Sequence, residues 1–472
     1  MKIHAKPICV LLMSIFIPQV HLQFNDGEGD QCFCKLQGEV DDCSCSVESV
    51  DSFNNNKIYP RLQSLLRTDY FKYHKANVKR QCPFWVDDSR CASRDCVLKP
   101  CSDDEIPEGL KGRPNHSENH DKNHKQNHKY SKEANEQNEC EEEHELGNLD
   151  TTISDESKEA FAEWKRYDDQ EELFCEIDDE DSADAEYVDL SLNPEGYTGY
   201  KGKSASRIWK TIYSENCFKQ ESKDYSQFGK QATQEKQQCL EKRVFFRMLS
   251  GLHTSVMVAV CSRYAFEGQF GQVTWGPNVE LFDKLFAPEN TWGQGPQHLR
   301  NLYFTYLIEL RALAKAAPYL EQENFYTGNE EGDLETKNAV KDLLKVVKSF
   351  PEHFDESKMF RGDPKEAAEL KTAYKTKFRN ITKIMDCVGC DKCKLWGKLQ
   401  ITGMGTALKI LFSGDTVGPE SIVTAESKNH FQLTRPEITA LLHSIGRLSS
   451  GIKEIDNFRR LLTEKNKKKN GS

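Results

Sequence analysis

The chain has 472 residues, a formal net charge of −11 and 17 cysteines. It is long enough to bury a sizeable core, and its acidic balance excludes a nucleic-acid backbone as partner. Cysteine at this density suits an oxidising compartment, where most thiols end as inert disulfides.

Residues 1–23 read as a secretory signal. Lys2 and Lys6 form a basic start and an apolar run follows from Ile8 to Val20, too short to span a bilayer. Removal takes Cys9 with it and leaves 16 cysteines of the 17, an even number. No later stretch approaches the ~18 consecutive apolar residues of a membrane-spanning helix. The expected mature protein is soluble in the secretory pathway, with peripheral membrane contact left open. Asn115-His-Ser, Asn380-Ile-Thr and Asn470-Gly-Ser are glycosylation acceptors in such a compartment. The end Lys467-Lys-Lys-Asn-Gly-Ser472 is not a Lys-Asp-Glu-Leu retrieval signal, so residence in the endoplasmic reticulum would require a retained partner.

Residues 24–101 form a cysteine-rich segment. Cys32-Phe-Cys34 and Cys43-Ser-Cys45 face each other across a short loop, and their nested pairing is one of three connectivities open to them. Cys82, Cys91, Cys96 and Cys101 follow in a polar stretch. In Cys91-Ala-Ser-Arg-Asp-Cys96 the four-residue spacer permits a disulfide and Arg94 favours a thiolate nearby. A structural bridge and a mobile dithiol that visits a partner are both compatible with it. Residues 102–145 are low in complexity and nearly free of large apolar side chains, which predicts a flexible loop. His116, His120, His124 and His128 recur in it at helical spacing. That spacing would suit a transition metal on a helix, but helix support is poor and no metal is expected.

Residues 146–465 carry the core and read as mainly α-helical, followed by a disordered tail over 466–472. Val244, Phe245, Met248, Leu249, Leu252, Val256 and Val260 give helical periodicity over Val244–Phe266. A second helix is predicted over Leu299–Leu320, broken near Pro318. A third, Pro364–Met385, opens on proline with acids early and bases late. Trp396–Phe412 reads as a buried helix in which Gly403 and Gly405 permit close packing. Thr434-Arg-Pro-Glu437 is a capping box for a last helix reaching about Leu462.

Just before Trp396 stands Cys387-Val-Gly-Cys390-Asp-Lys-Cys393. A two-residue spacer lets two thiols close a readily exchanged disulfide, and a helix start there favours the thiolate. The competing readings of Cys390/Cys393 are a structural bridge and an iron–sulfur site. The latter is poor, because Gly397 stands where a fourth cysteine would be due. Cys387 reads as a staple partner.

Together these residues resemble the endoplasmic reticulum oxidoreductin family, flavin-dependent thiol oxidases, and most nearly its animal alpha type. The resemblance rests on Cys82-Pro-Phe-Trp85, Cys91–Cys96, Asp189–Trp209 with Asn193-Pro-Glu-Gly-Tyr-Thr-Gly-Tyr200, Ser250-Gly-Leu-His253, Leu307-Ile-Glu-Leu-Arg-Ala-Leu313 and Met385–Leu411. It implies a single large helical domain that holds FAD, with a disulfide-stapled N-terminal segment and a mobile cysteine-bearing loop. It also implies a monomer in the endoplasmic reticulum lumen that re-oxidises protein disulfide isomerase and related thioredoxin-like proteins. Cys91/Cys96 would be the shuttle pair and Cys390/Cys393 the inner pair, which passes electrons to FAD and then to molecular oxygen, giving hydrogen peroxide. Regulatory pairs Cys91–Cys140 and Cys96–Cys101 are implied, with staples Cys32–Cys45, Cys34–Cys43, Cys82–Cys387 and Cys217–Cys239. The implied FAD contacts are Thr198, Trp209, Ser250, His253, His298 and Arg311. The family often carries arginine where this chain has Gly196 and His298. The competing function class is a non-catalytic, disulfide-stapled secreted glycoprotein.

Overall fold

The structure, a computed structural model, describes residues 47–82, 84–85, 96–111, 185–195, 202–216, 218, 240–267, 272–350, 354–412 and 433–470. Its first elements are short. They are α1 (Val47–Phe53), a π-helical turn (Asn54–Ile58), α2 (Tyr59–Leu65), α3 (Asp69–Lys72) and strand β1 (Tyr73–Ala76). β1 pairs antiparallel with β2 (Glu186–Asp189), Tyr73 opposite Asp189 and Ala76 opposite Glu186. Then come α4 (Gly202–Asn216), α5 (Leu240–Ser262), strands β3 (Tyr264–Glu267) and β4 (Val273–Gly276), α6 (Val279–Phe286), α7 (Gln294–Leu320), α8 (Glu330–Lys348), α9 (Pro364–Ile384), α10 (Asp391–Phe412) and α11 (Arg435–Asn470). The chain is mainly helical, as expected.

The helix ends follow local chemistry. Asp363 caps α9 by accepting from Lys365 N–H at 3.0 Å and Glu366 N–H at 3.2 Å, and Pro364 occupies the first turn. Thr434 and Glu437 form the capping box of α11: Thr434 N–H donates to Glu437 Oε2 at 2.8 Å, and Glu437 N–H to Thr434 Oγ1 at 3.4 Å.

α5 and α7 run antiparallel through the centre. Asn301 Nδ2 donates to Ser250 Oγ at 2.9 Å, and Thr305 Oγ1 reaches the Arg247 carbonyl at 3.3 Å. α5 is long and apolar enough to cross a bilayer, yet 83% of its most apolar window is buried, which makes it a core helix. α10 and α11 are equally intimate. A methyl added at Gly403 would overlap the Ala440 carbonyl oxygen and stand 2.6 Å from Ser444 Cβ, so only glycine lets the two backbones meet there.

Four expectations change. The α5 period ends at Ser262, and Tyr264–Phe266 belong to strand β3; the apolar residues there alternate outward, leaving Phe266, Val273 and Trp275 exposed. Pro318 does not break α7, because it lies so near the end that the missing N–H costs one bond and its ring faces solvent. The tail expected to be disordered continues α11 to Asn470, where lysines in the final turns complement the helix dipole. Finally, residues 102–111, assigned to the flexible loop, are docked: Leu110 is buried and Gly109 N–H donates to the Thr327 carbonyl at 2.9 Å. The remainder of that loop lies outside the described residues, as do Cys32, Cys34, Cys43, Cys45, Cys91, Asn115, Cys140, Thr198, Cys217 and Cys239.

Candidate active site

The cysteine cluster converges on the N-terminus of α10. Cys387 sits in a 3-10 turn, Met385–Cys387, and is bonded to Cys82, 305 residues away in sequence. α10 begins immediately after Cys390, so Cys393 lies buried in its first turn, where the unpaired N–H groups of the helix end favour an anion. Cys393 keeps a thiol, as do Cys101 and Cys261. Cys390 is joined instead to Cys96, with Cα atoms 4.9 Å apart. This differs from the three implied pairings that involve these residues, Cys91–Cys96, Cys96–Cys101 and Cys390–Cys393. The reason is local. The Cys96 carbonyl accepts the Lys392 N–H at 3.2 Å, which seats the segment bearing Cys96 on the N-terminal end of α10. Cys101 is held away by its own N–H to the Tyr187 carbonyl, 2.8 Å.

Two lysines fasten the approach. Lys394 Nζ donates to the Val78 and Arg80 carbonyls at 3.1 and 3.2 Å, and Lys398 Nζ to the Asn77 carbonyl at 3.1 Å. Both side chains are buried, their stems packed and their amines satisfied. Lys398 also faces the buried Asp386 at 3.2 Å. Burial pushes the Asp386 carboxyl up, against the pull of Lys398 and Arg80.

Beside Cys393 opens an apolar slot. Ile208 and Trp209 of α4, Leu252 and Val256 of α5, and Gly397 and Gln400 of α10 line it. A side chain at Gly397 would press on Met385 Sδ, 2.9 Å from the added carbon, so glycine keeps that wall flat. At one end Trp209 stacks on His253, ring centroids 4.0 Å apart and planes 16° apart. Tyr213 Oη lies 3.3 Å from His253 Nδ1. Burial, with His298 nearby, pushes the His253 imidazole down to about 3, so the ring is neutral. Farther along α5, Arg247 is buried and donates to Asn301 Oδ1 at 2.9 Å, its guanidinium lowered to about 10 by burial and by Arg300.

The structure therefore brings Trp209, Ser250, His253 and His298 to one region. Arg311 is elsewhere. It forms a two-pronged ion pair with Glu356, 2.7 and 2.8 Å. It also stands 13 residues beyond His298 on α7, about 20 Å along the axis. Asn380, expected to carry a glycan, is 1% exposed on α9, so the folded chain does not present its amide to solvent. Sequence reasoning missed Arg247, Asn301, Gln400 and the two buried lysines. Lys394 and Lys398 stand four apart on one face of a helix start, a pattern that also describes an ordinary solvated surface.

A helical bundle that joins a polar-segment cysteine to a Cys-x-x-Cys at a helix start, beside an apolar slot, is built for thiol–disulfide exchange. The chain belongs to the Endoplasmic Reticulum Oxidoreductin 1 (ERO1) family, whose model matches residues 57–455. It is 47% identical over 452 residues to ERO1-like protein alpha of Rattus norvegicus, covering 93% of this chain and 94% of that one. It is 48% identical over 442 residues to Ero1-like protein of Drosophila melanogaster, covering 91% of each. Among solved structures it resembles S. cerevisiae Ero1p, described as a source of disulfide bonds for oxidative protein folding (26% identity, TM-score 0.58, 89% of this chain and 99% of that one). It also resembles a double cysteine-to-alanine mutant of Ero1p (29% identity, TM-score 0.56, with the same coverage). The chain is thus a thiol oxidoreductase of oxidative folding in the endoplasmic reticulum.

Proposed function

We propose that this oxidoreductase re-oxidises protein disulfide isomerase, or a related thioredoxin-like protein, in the endoplasmic reticulum lumen, and that it is FAD-dependent. The observation that carries the reading is the bond between Cys96 and Cys390 with Cys393 left as a thiol beside the slot. That connectivity is the half-way point of an exchange between two cysteine pairs.

A reduced isomerase dithiol attacks the Cys91–Cys96 disulfide; the isomerase leaves oxidised, and Cys91 and Cys96 become thiols. The Cys96 thiolate then attacks Cys390 Sγ. The Cys390–Cys393 bond breaks and Cys393 departs as a thiolate, stabilised by the α10 N-terminus. The Cys91 thiolate next attacks Cys96, restoring the shuttle disulfide and leaving Cys390 and Cys393 with the two electrons.

The residues present fit a flavin dinucleotide. The slot is apolar enough for a fused ring, it reaches Cys393, its end carries the Trp209–His253 stack with His298 nearby, and farther along the same helices Arg247 and Arg300 supply the positive charge that a pyrophosphate would need. Bound there, FAD would accept the electron pair of the inner dithiol and pass it to oxygen, giving hydrogen peroxide. The protein's own part is to hold Cys393 against the slot and to exclude water with Leu252, Val256 and Ile208. The regulatory Cys96–Cys101 bond would stop the relay by occupying the one sulfur that Cys390 needs.

The test is a visible absorption spectrum of the purified protein, followed by oxygen uptake with reduced isomerase. A flavin band is expected, with uptake abolished in Cys393→Ala. A protein that takes up no flavin after added FAD would defeat the proposal.

A further inference from the structure

Asn193 is fully buried between the stem of the shuttle segment and α10. Its side-chain amide copies a strand neighbour for Lys99. Oδ1 accepts the Lys99 N–H at 2.8 Å and Nδ2 donates to the Lys99 carbonyl at 2.9 Å. Nδ2 also donates to the Asp189 carbonyl at 3.0 Å, which the Asn193 N–H reaches at 3.1 Å. The Asn193 carbonyl accepts the indole Nε1–H of Trp396 at 2.7 Å. Every polar group of the residue is engaged, which a buried amide requires and which fixes its position.

The two ends of this network lead to the two exchanging sulfurs. Lys99 lies three residues after Cys96, and Trp396 six residues after Cys390. Beyond Lys99 the stem continues into the Pro100–Val188 bridge and the Cys101 N–H to Tyr187, so the stem is anchored against β2. Trp396 is itself fixed, its ring edge-on to His443 at 5.6 Å, and His443 Nε2 lies 2.9 Å from the Phe71 carbonyl. Cys96 and Cys390 are thereby referenced to the same buried residue.

We propose that Asn193 is a positioning residue for the exchange between the shuttle and inner pairs: it holds the Cys96 stem and the start of α10 in the register that puts Cys96 Sγ in reach of Cys390. It touches neither sulfur. The inference rests on the relay reading above. The exchange it governs is redox-neutral: Cys96 thiolate plus the Cys390–Cys393 disulfide gives the Cys96–Cys390 disulfide plus Cys393 thiolate. Its position is therefore an intramolecular equilibrium that needs no other reagent and no flavin.

The experiment uses the full chain carrying Cys91→Ala, so that the Cys96–Cys390 bond cannot be resolved. Thiols are blocked by alkylation and the linked and inner-disulfide forms are quantified by mass spectrometry of unreduced peptides. Asn193→Ala is expected to lower the ratio of linked to inner-disulfide form about tenfold, the scale of losing a buried amide pairing. Asn193→Asp, which keeps only the acceptor for Lys99 N–H, should fall in between. Lys99→Pro deletes that N–H from a residue whose own side chain is exposed, and it decides the matter if Asn193→Ala fails to fold. It too should lower the ratio, with the Cys82–Cys387 bond and cooperative unfolding intact. A parental ratio in folded Lys99→Pro overturns the inference and leaves the relay standing. No linked form in the Cys91→Ala parent overturns the relay reading and this inference with it.

Discussion

Trp209 and His253 lie face to face, centroids 4.0 Å apart, where α4 meets α5, with Tyr213 beside the imidazole. A neutral imidazole against an indole makes a flat, rigid wall rather than a charged one. Trp209→Ala should weaken FAD binding about tenfold, the worth of roughly 1.4 kcal/mol of stacking. Quenching of flavin fluorescence on titration measures it, and unchanged affinity would remove Trp209 from the site.

Arg311 gives the opposite expectation. Its guanidinium is committed to Glu356, so Arg311→Ala should cost about 1 kcal/mol of stability and leave the flavin content of the purified protein as it was. Loss of the visible flavin band in a variant that still melts cooperatively would show that the resemblance had assigned it correctly.

Glu309 is buried in the middle of α7 with Ser444 Oγ donating to it at 2.6 Å, and burial pushes its carboxyl up to about 8. The folded value lies above the unfolded one, so the native state holds the proton more tightly. Its contribution is fully present below the unfolded value near 4.5 and is lost as pH rises towards the folded value. Glu309→Gln carries no such slope. Its stability relative to the parent should rise by on the order of 1–3 kcal/mol between pH 5 and pH 7.5. Urea titrations of both proteins at the two pH values are decisive, and a pH-independent difference would contradict the burial argument.

At Gly403, alanine has nowhere to go, because the Ala440 backbone and Ser444 stand where its methyl would lie. Gly403→Ala should cost about 1–3 kcal/mol or more by prising α10 from α11. Thermal unfolding reports it, with the same substitution at the open Gly362 as the neutral comparison.

What could be read from the sequence was what period and composition encode. The α5, α7, α9, α10 and α11 helices each bury a stripe that shows in the spacing of their apolar residues, and the caps of α9 and α11 are local chemistry. The β3–β4 hairpin was invisible because Tyr264-Ala-Phe266 follows the apolar run of α5 after only Ser262-Arg263, with no glycine or proline to mark the end of the helix. The Cys96–Cys390 junction spans 294 residues, and spacing along a chain carries no proximity at that distance. Arg311 was placed by residue type on a motif; only the rise of α7 shows how far that puts it from His298. Lys394 and Lys398 illustrate the remaining gap, since a lysine that caps carbonyls in a protein interior is written with the same letter as one in water.

The Cys82–Cys387 bond has a consequence for biosynthesis. Its two sulfurs are separated by 305 residues, which at about 5–20 residues per second is roughly 15–60 s of synthesis. Throughout that interval Cys82 has been delivered and its mate does not yet exist. The segment bearing Cys96 has no α10 to settle on, so a nascent copy cannot fire. Each new molecule therefore carries an unpaired Cys82 for most of its own synthesis, and the junction at α10 can assemble only once nearly all of its chain has been made.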